Sequence, residues 1–255
     1  MLDKEALLHA HRHRHLQFEG ACNVRDLGGL PTTDGRVTRH GVVYRADTLA
    51  YLSSADLATL TRLELRTVVD LRSAGECAFA PDRLPSGVDL HNPGILPEGN
   101  NELISSINAG EFDAVTAAQA MQRQYRRLTL EHFTEYRVFV SALLAPDQTP
   151  LLFHCASGKD RTGIAAAIVL LAVGVPLSWV IQDYVISNYQ RRAVDHFGDE
   201  APSPAVEQVM SAYPRYLEAA IAAMTDEFGS IDNYLAQGLG LDREARRHLE
   251  TLLLV

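Results

Sequence analysis

The stretch Leu151-Leu-Phe-His-Cys-Ala-Ser-Gly-Lys-Asp-Arg-Thr-Gly163 limits what this chain can become more than any other. It sets a short apolar strand, Leu151 to His154, directly before Cys155. Five residues separate Cys155 from Arg161, and the apolar run Ile164 to Val175 that follows reads as a buried helix. A loop that short, curling between a strand and a helix, turns the amides of residues 156–161 inward and forms an anion-binding nest. The helix opening at Arg161 aims the positive end of its dipole at the same place. Gly158 permits the tight backbone path. Arg161 adds a planar fork that matches two phosphoryl oxygens, a contact lysine cannot reproduce. These positive surroundings are expected to favour a thiolate at Cys155. Thr162 stands where its hydroxyl is expected to donate to the sulfur, and His154 is expected to orient the loop through backbone hydrogen bonds and not to act as a base. Nucleophile and phosphate cradle thus come from one loop, with Ala156, Ser157, Gly158, Lys159 and Thr162 as substrate-binding candidates beside Cys155 and Arg161.

The rest of the chain supplies the frame. Gly41-Val-Val-Tyr-Arg45 and Arg66-Thr-Val-Val-Asp-Leu71 are strand candidates, and Ser53 offers an N-cap to a helix ending near Leu63. Strand, turn, helix, strand is the rhythm of a mostly parallel sheet. Residues 81–110 are broken by prolines, glycines and asparagines and read as loop. Helical patterning returns from about 112 to 144 and stops at Pro146-Asp-Gln-Thr-Pro150. Beyond Arg161 the expected helices are about 161–173, 177–194, 204–225, 230–237 and 242–254. Prolines 202 and 204 set off residues 196–225 as the candidate lid, which would exclude water and shield an oxidisable thiolate. Residues 1–16 read as an N-terminal arm, and its histidines at 9, 11, 13 and 15 as solvated side chains in preference to metal ligands.

Charge and cysteine usage remove other classes. Lys and Arg total 23 against 32 Asp and Glu, a formal charge of −9. That argues against a general nucleic-acid binder, yet a locally basic pocket can still take a phosphorylated substrate. No apolar run reaches the roughly 18 residues of a membrane-spanning helix. Cys22, Cys77 and Cys155 cannot form a disulfide framework, and none has the spacing of a zinc-ligand pair. The N-terminus lacks the basic start and apolar stretch of a secretory signal. A cytoplasmic protein, or one exported without a cleaved signal peptide, is the expectation. Phosphocysteine chemistry needs no metal or cofactor, and none is expected.

The segment His154-Cys-Ala-Ser-Gly-Lys-Asp-Arg-Thr-Gly163 resembles the phosphate loop of the protein tyrosine phosphatase superfamily. More narrowly, it looks like the bacterial branch with Lys-Asp-Arg in that loop, whose members include secreted mycobacterial and listerial phosphatases acting on phosphotyrosine and phosphoinositides. Asn23-Val-Arg-Asp-Leu-Gly-Gly29, Val69-Asp-Leu-Arg-Ser73, Asp183-Tyr-Val-Ile-Ser-Asn-Tyr189 and Tyr234-Leu-Ala-Gln-Gly-Leu-Gly-Leu241 are similar to further motifs of that branch. The resemblance spans about residues 18–254. It implies one α/β domain over 1–255, with a mostly parallel central sheet flanked by helices and a helical C-terminal cap or lid. From Arg25 and Asp26 in the first motif the expectation is a buttress for the phosphate loop, with direct substrate contact as the alternative.

The reaction also needs an acid for the leaving group. The mobile loop of classical tyrosine phosphatases, beginning Trp-Pro-Asp, is absent, because the one tryptophan, Trp179, precedes Val180. Asp160 is the first candidate, and the resemblance implies a catalytic role there; the alternative is a structural carboxylate bonded to loop amides. Asp70, at the end of a strand, is the second, against a carboxylate paired with an arginine. Asp47 is weaker. Lys159 either meets further phosphates, as on an inositol ring, or pairs with a carboxylate. The expected activity is phosphomonoester hydrolysis through a phosphocysteine, on phosphotyrosine proteins, with phosphoserine, phosphothreonine and phosphoinositides as further substrates. The rivals are a rhodanese-like sulfurtransferase and a catalytically weak protein that binds phosphorylated ligands.

Overall fold

Alternation along the strands decides where the layers lie. Val43, Val69, Leu151 and Phe153 pack into one apolar cluster, while Tyr44, Ala46, Val68 and Leu152 pack into another. Side chains of successive strand residues point to opposite faces, so the two clusters cover both faces of one sheet. The computed structural model describes residues 3–190, 192 and 203–255. The chain runs through α1 (Lys4–His11), a 3-10 turn (Arg12–Arg14), β1 (Arg25–Asp26), β2 (Val43–Ala46), α2 (Ser54–Arg62), β3 (Thr67–Asp70), α3 (Ala74–Phe79) and β4 (Asp89–His91). Next come α4 (Asn100–Asn108), α5 (Ala114–Leu130), α6 (Phe133–Leu144), β5 (Leu151–His154), α7 (Asp160–Ala172), α8 (Leu177–Val185) and α9 (Ser187–Gln190). Helices α10 (Pro204–Met210), α11 (Pro214–Phe228) and α12 (Ile231–Asn233), a π turn (Tyr234–Gly238) and α13 (Arg243–Leu253) complete it.

The five strands among the described residues lie in the order β1-β2-β5-β3-β4. β5 is parallel to β2 and β3 on either side, β4 is parallel to β3, and β1 alone is antiparallel. Ala46, His154 and Asp70 stand in register. The carboxyl ends of three parallel strands therefore open side by side, which is where α/β sheets place their ligands. α7 leaves that edge as a helix without a polar face; Arg161 through Leu170 are all buried. The fold is the expected α/β arrangement, a mostly parallel sheet flanked by helices. No helix among the described residues is long and apolar enough to cross a membrane.

Several boundaries differ from the sequence expectation. The loop 81–110 contains β4 and α4, both of which lack strong local signals: β4 is an exposed edge strand, and α4 starts at Gly99 in the left-handed region with no side-chain cap. The helix expected over 204–225 breaks at residues 211–213, because Pro214 opens a new helix in its first turn. Of the candidate lid 196–225, residues 196–202 lie outside the described residues; the remainder forms α10 and most of α11, which pack on α5. The N-terminal arm is not solvated as expected. Leu7, His11 and Arg14 are buried, because the guanidinium of Arg14 ends on Asp183 of α8 at 2.6 Å.

Candidate active site

The loop between β5 and α7 is held by its carbonyls. The amide of Thr48 donates to Ala156 O at 3.2 Å, Asn23 Nδ2 donates to Gly158 O at 2.9 Å and Ser157 O at 3.5 Å, and Arg45 Nη2 donates to Gly158 O at 2.7 Å. Carbonyls tied outward leave their peptide N–H groups facing the other way. For the three tied carbonyls those N–H groups belong to Ser157, Gly158 and Lys159, and the amides of Ala156, Ser157, Gly158, Asp160 and Arg161 donate to no acceptor among the described residues. Successive peptide N–H groups left without acceptors can form a nest for an anion; Gly158 and Arg161 are buried, Ser157 and Asp160 partly so, and Ala156 is exposed. Gly158 is required here: its φ is +65°, and a Cβ would lie 2.5 Å from Ala46 O.

At the nest sit Cys155, 1% exposed, and Arg161, 6% exposed. Arg161 directs Nη1 and Nη2 onto the carboxylate of Glu76 at 2.6 and 2.8 Å, and Nη1 also reaches Ile95 O at 3.0 Å. Its Nε donates to no acceptor among the described residues, so the bonds to Glu76 and Ile95 leave one edge of the fork unused. Glu76 carries no signal of this role in the sequence beyond Ser73-Ala-Gly-Glu76, the capping box of α3. Thr162 Oγ1 is buried with no partner among the described residues, so the hydrogen bond expected to the Cys155 sulfur is not formed in this state.

Behind Cys155, His154 faces two acceptors: Nδ1 lies 3.1 Å from Cys155 O and Nε2 lies 2.9 Å from Asp82 Oδ2. Burial alone would lower its pKa, but the bond to Asp82 and the charges of Asp82 and Asp70 raise it. Both neighbours are acceptors, an arrangement that a proton on each ring nitrogen would satisfy, and through Nδ1 the ring reaches the backbone at the start of the loop. Asp70 is paired with an arginine, the alternative weighed for it. Its oxygens accept from Arg72 Nε and Nη2 at 2.8 to 3.1 Å and from Cys77 Sγ at 3.1 Å. Ligand atoms of Asp70, Asp82 and His154 lie within 4.8 Å of one another, as a metal site requires. Arg72 donates to both carboxylates, however, and supplies the cation itself. The histidines of the arm diverge: His11 packs on Trp179 and Gln182, and His13 on His40.

A second layer sits under the loop. Asp183 of α8 accepts from Arg14 Nη2 at 2.6 Å, Arg25 Nε at 3.0 Å and Arg45 Nη1 at 2.6 Å, all fully buried. Burial would raise the Asp183 carboxyl, but Arg25, Arg14 and Arg45 hold it well below the usual carboxylate range. Arg45 touches the loop itself, while Arg25 grips Asn23 through its backbone and side-chain oxygens. Asn23 and Arg25 thus buttress the loop. Asp26 does not: it accepts from the amides of Gly28 and Gly41 and from His40, away from the loop.

Asp160 opens α7 with one oxygen engaged. Tyr125 of α5 donates to Oδ1 at 2.6 Å, and Lys159 Nζ lies 3.4 Å from the same atom. The Tyr184 hydroxyl is 2.6 Å from that of Tyr125. Lys159 also donates to Val209 O of α10, so the described part of the candidate lid is hydrogen-bonded to the phosphate loop. Asp47 is buried beside the loop, accepting from Cys22 N at 2.6 Å, and burial pushes its carboxyl up to about 6. Cys155, Asp160 and Arg161, the candidates named from the sequence, share one loop. Glu76, Tyr125, Tyr184 and Asp183 are remote from it in sequence and meet the loop or its supports only through the fold.

A family model described as tyrosine phosphatase family matches residues 16–255. A protein of Cupriavidus necator named as a tyrosine-protein phosphatase is 34% identical over 239 residues, 90% of this chain and 86% of that one. The triple specificity protein phosphatase PtpB of Mycobacterium tuberculosis is 29% identical over 262 residues, 86% of this chain and 92% of that one. The crystal structure of P. aeruginosa TpbA is 17% identical, covering 74% of this chain and 89% of that one, with a TM-score of 0.34.

Proposed function

The chain belongs to the tyrosine phosphatase family, and on that premise we propose that Cys155, Arg161 and Asp160 hydrolyse phosphotyrosine through a phosphocysteine. The thiolate of Cys155 attacks phosphorus in line, forming the S–P bond as the P–O bond to the leaving group breaks. The inward amides and the free edge of Arg161 hold the equatorial oxygens, where charge develops. Asp160 gives its proton to the departing oxygen. In the second step water attacks phosphorus, Asp160 takes a proton from it, and the S–P bond breaks to return the thiolate and release phosphate. Ala156, Ser157, Gly158 and Lys159 contribute the cradle, and Thr162 supplies a hydroxyl next to the leaving sulfur.

The observation that carries this reading is that the amides of Ala156, Ser157, Gly158, Asp160 and Arg161 donate to no acceptor among the described residues, in a loop that starts at Cys155 and ends at Arg161. Burial of both side chains supports a recessed phosphate site, which suits the long phosphotyrosine side chain over the short phosphoserine. The triple specificity named for the mycobacterial relative motivates testing phosphoserine peptides and phosphoinositide vesicles beside phosphotyrosine peptides. The experiment is rapid quench with phosphorus-labelled phosphotyrosine peptide. Wild type should retain label on protein and Cys155→Ser should retain none and lose turnover. A Cys155→Ser protein with normal turnover sinks the reading, and sulfur transfer from thiosulfate by the wild type would favour the rhodanese-like alternative.

A further inference from the structure

The two oxygens of Asp160 stand in different surroundings. Oδ1 accepts the Tyr125 hydroxyl at 2.6 Å and lies 3.4 Å from the Lys159 ammonium. Oδ2 accepts no hydrogen bond among the described residues. A phenol has one proton, and that of Tyr125 goes to Asp160, so the 2.6 Å contact between Tyr125 and Tyr184 has Tyr184 as donor. The chain Tyr184 O–H to Tyr125 O–H to Asp160 Oδ1 therefore runs in one direction. Burial first, and then the charge of Asp160, hold both phenols well above their ordinary pKa, so both keep their protons.

The backbone is shaped to admit this chain. A Cβ at Gly163 would lie 2.9 Å from the Tyr184 ring, so glycine after Arg161-Thr162 is what allows Tyr184 to stand there. The Tyr125 ring packs on Tyr184 and on Tyr216 of α11, with centroids 6.0 and 5.8 Å apart. Three helices distant in sequence thus fix one carboxylate oxygen.

We propose that Tyr125, oriented by Tyr184, is a positioning residue that confines the transferable proton of Asp160 to Oδ2. The inference rests on Asp160 being the acid. An oxygen that already accepts a phenolic proton beside an ammonium is the less basic of the two, so protonation falls on Oδ2. From there the proton passes to the leaving oxygen, and in the second step Oδ2 takes the proton of water; Tyr125 gives up no proton at either stage. Holding the carboxyl in one rotation spares the transition state the cost of orienting it.

A positioning role differs from a packing role in its dependence on the leaving group. Wild type, Tyr125→Phe, Tyr184→Phe and Asp160→Ala are assayed for kcat/KM on p-nitrophenyl phosphate, which departs without a proton, and on phenyl phosphate, which needs one. Both substrates are measured on the same preparation, so any unfolded fraction cancels in the ratio. The expected result is that Tyr125→Phe loses about 10-fold more on phenyl phosphate than on p-nitrophenyl phosphate. Tyr184→Phe should lose in the same direction by less, and Asp160→Ala by more. Equal losses for Tyr125→Phe, with a selective loss for Asp160→Ala, overturn the inference and leave the acid in place. Equal losses for Asp160→Ala overturn the acid assignment and the inference with it.

Discussion

Glu76 Oε2 accepts from the amide and hydroxyl of Ser73, both at 2.9 Å, and from Arg161 Nη1, while Oε1 accepts from Arg161 Nη2. One carboxylate thereby caps a helix and aligns the phosphate clamp. A glutamine keeps the size but cannot accept along both bonds to the guanidinium. Glu76→Gln should lower kcat/KM by about 10-fold through a misaligned fork and stability by about 1–2 kcal/mol. Burial pushes the Glu76 carboxyl up, but the hydrogen bond and charge of Arg161 bring it below its ordinary value of 4.5. A lowered pKa means stability that is present above 4.5 and lost as pH falls through the folded value. The melting difference between wild type and Glu76→Gln should therefore shrink below about pH 4. Asp47 predicts the opposite sign. Its pKa is raised to about 6, so its favourable contribution exists below the unfolded value and disappears as pH rises through 6. Asp47→Asn keeps an acceptor for Cys22 N and should stabilise the protein by about 2 kcal/mol at pH 8, with no gain below pH 4. Melting temperatures at the two pH values check both.

At the scale of elements, α7 shows how a local rule can be reversed by its neighbours. Glycine inside a helix ordinarily costs about 1 kcal/mol relative to alanine. Gly163 is such a glycine, yet the Cβ of alanine would meet the Tyr184 ring of α8 at 2.9 Å. Overpacking a buried contact costs about 1–3 kcal/mol, so Gly163→Ala should be destabilising by about 1 kcal/mol in urea unfolding, where propensity alone predicts a gain. The same contrast explains what the sequence showed. β5, the loop and α7 were legible because strand, turn and helix signals fall on consecutive residues, as were α2 from Ser53 and β3 from its β-branched run. The Ser73-Ala-Gly-Glu76 signature was present but short, and its second task depends on Arg161, which only the fold brings near. α4 has no cap to read, and β4 is a three-residue edge strand.

Across the whole molecule, Asp183 joins the N-terminal turn, β1, β2 and α8 through three guanidinium groups. Removing one partner of a buried ion pair costs about 3–5 kcal/mol, so Asp183→Asn, which leaves three buried arginines short of a countercharge, should lose at least about 3 kcal/mol in urea unfolding. Activity should fall with it, because Arg45 also holds Gly158 O. Arg25 and Asp183 fall in segments the sequence singles out, but nothing there shows that they share one ion cluster with Arg14 and Arg45, because the four lie as far apart as residues 14 and 183. Their order along the chain has a consequence for synthesis. A ribosome that has reached residue 182 has already made Arg14, Arg25, Arg45 and the entire loop from Cys155 to Arg161. Three like charges cannot be buried together until the next residue supplies their carboxylate. The phosphate cradle is therefore translated before the carboxylate that braces it, and Arg45 cannot be locked beneath Gly158 O by that carboxylate until Asp183 has been added.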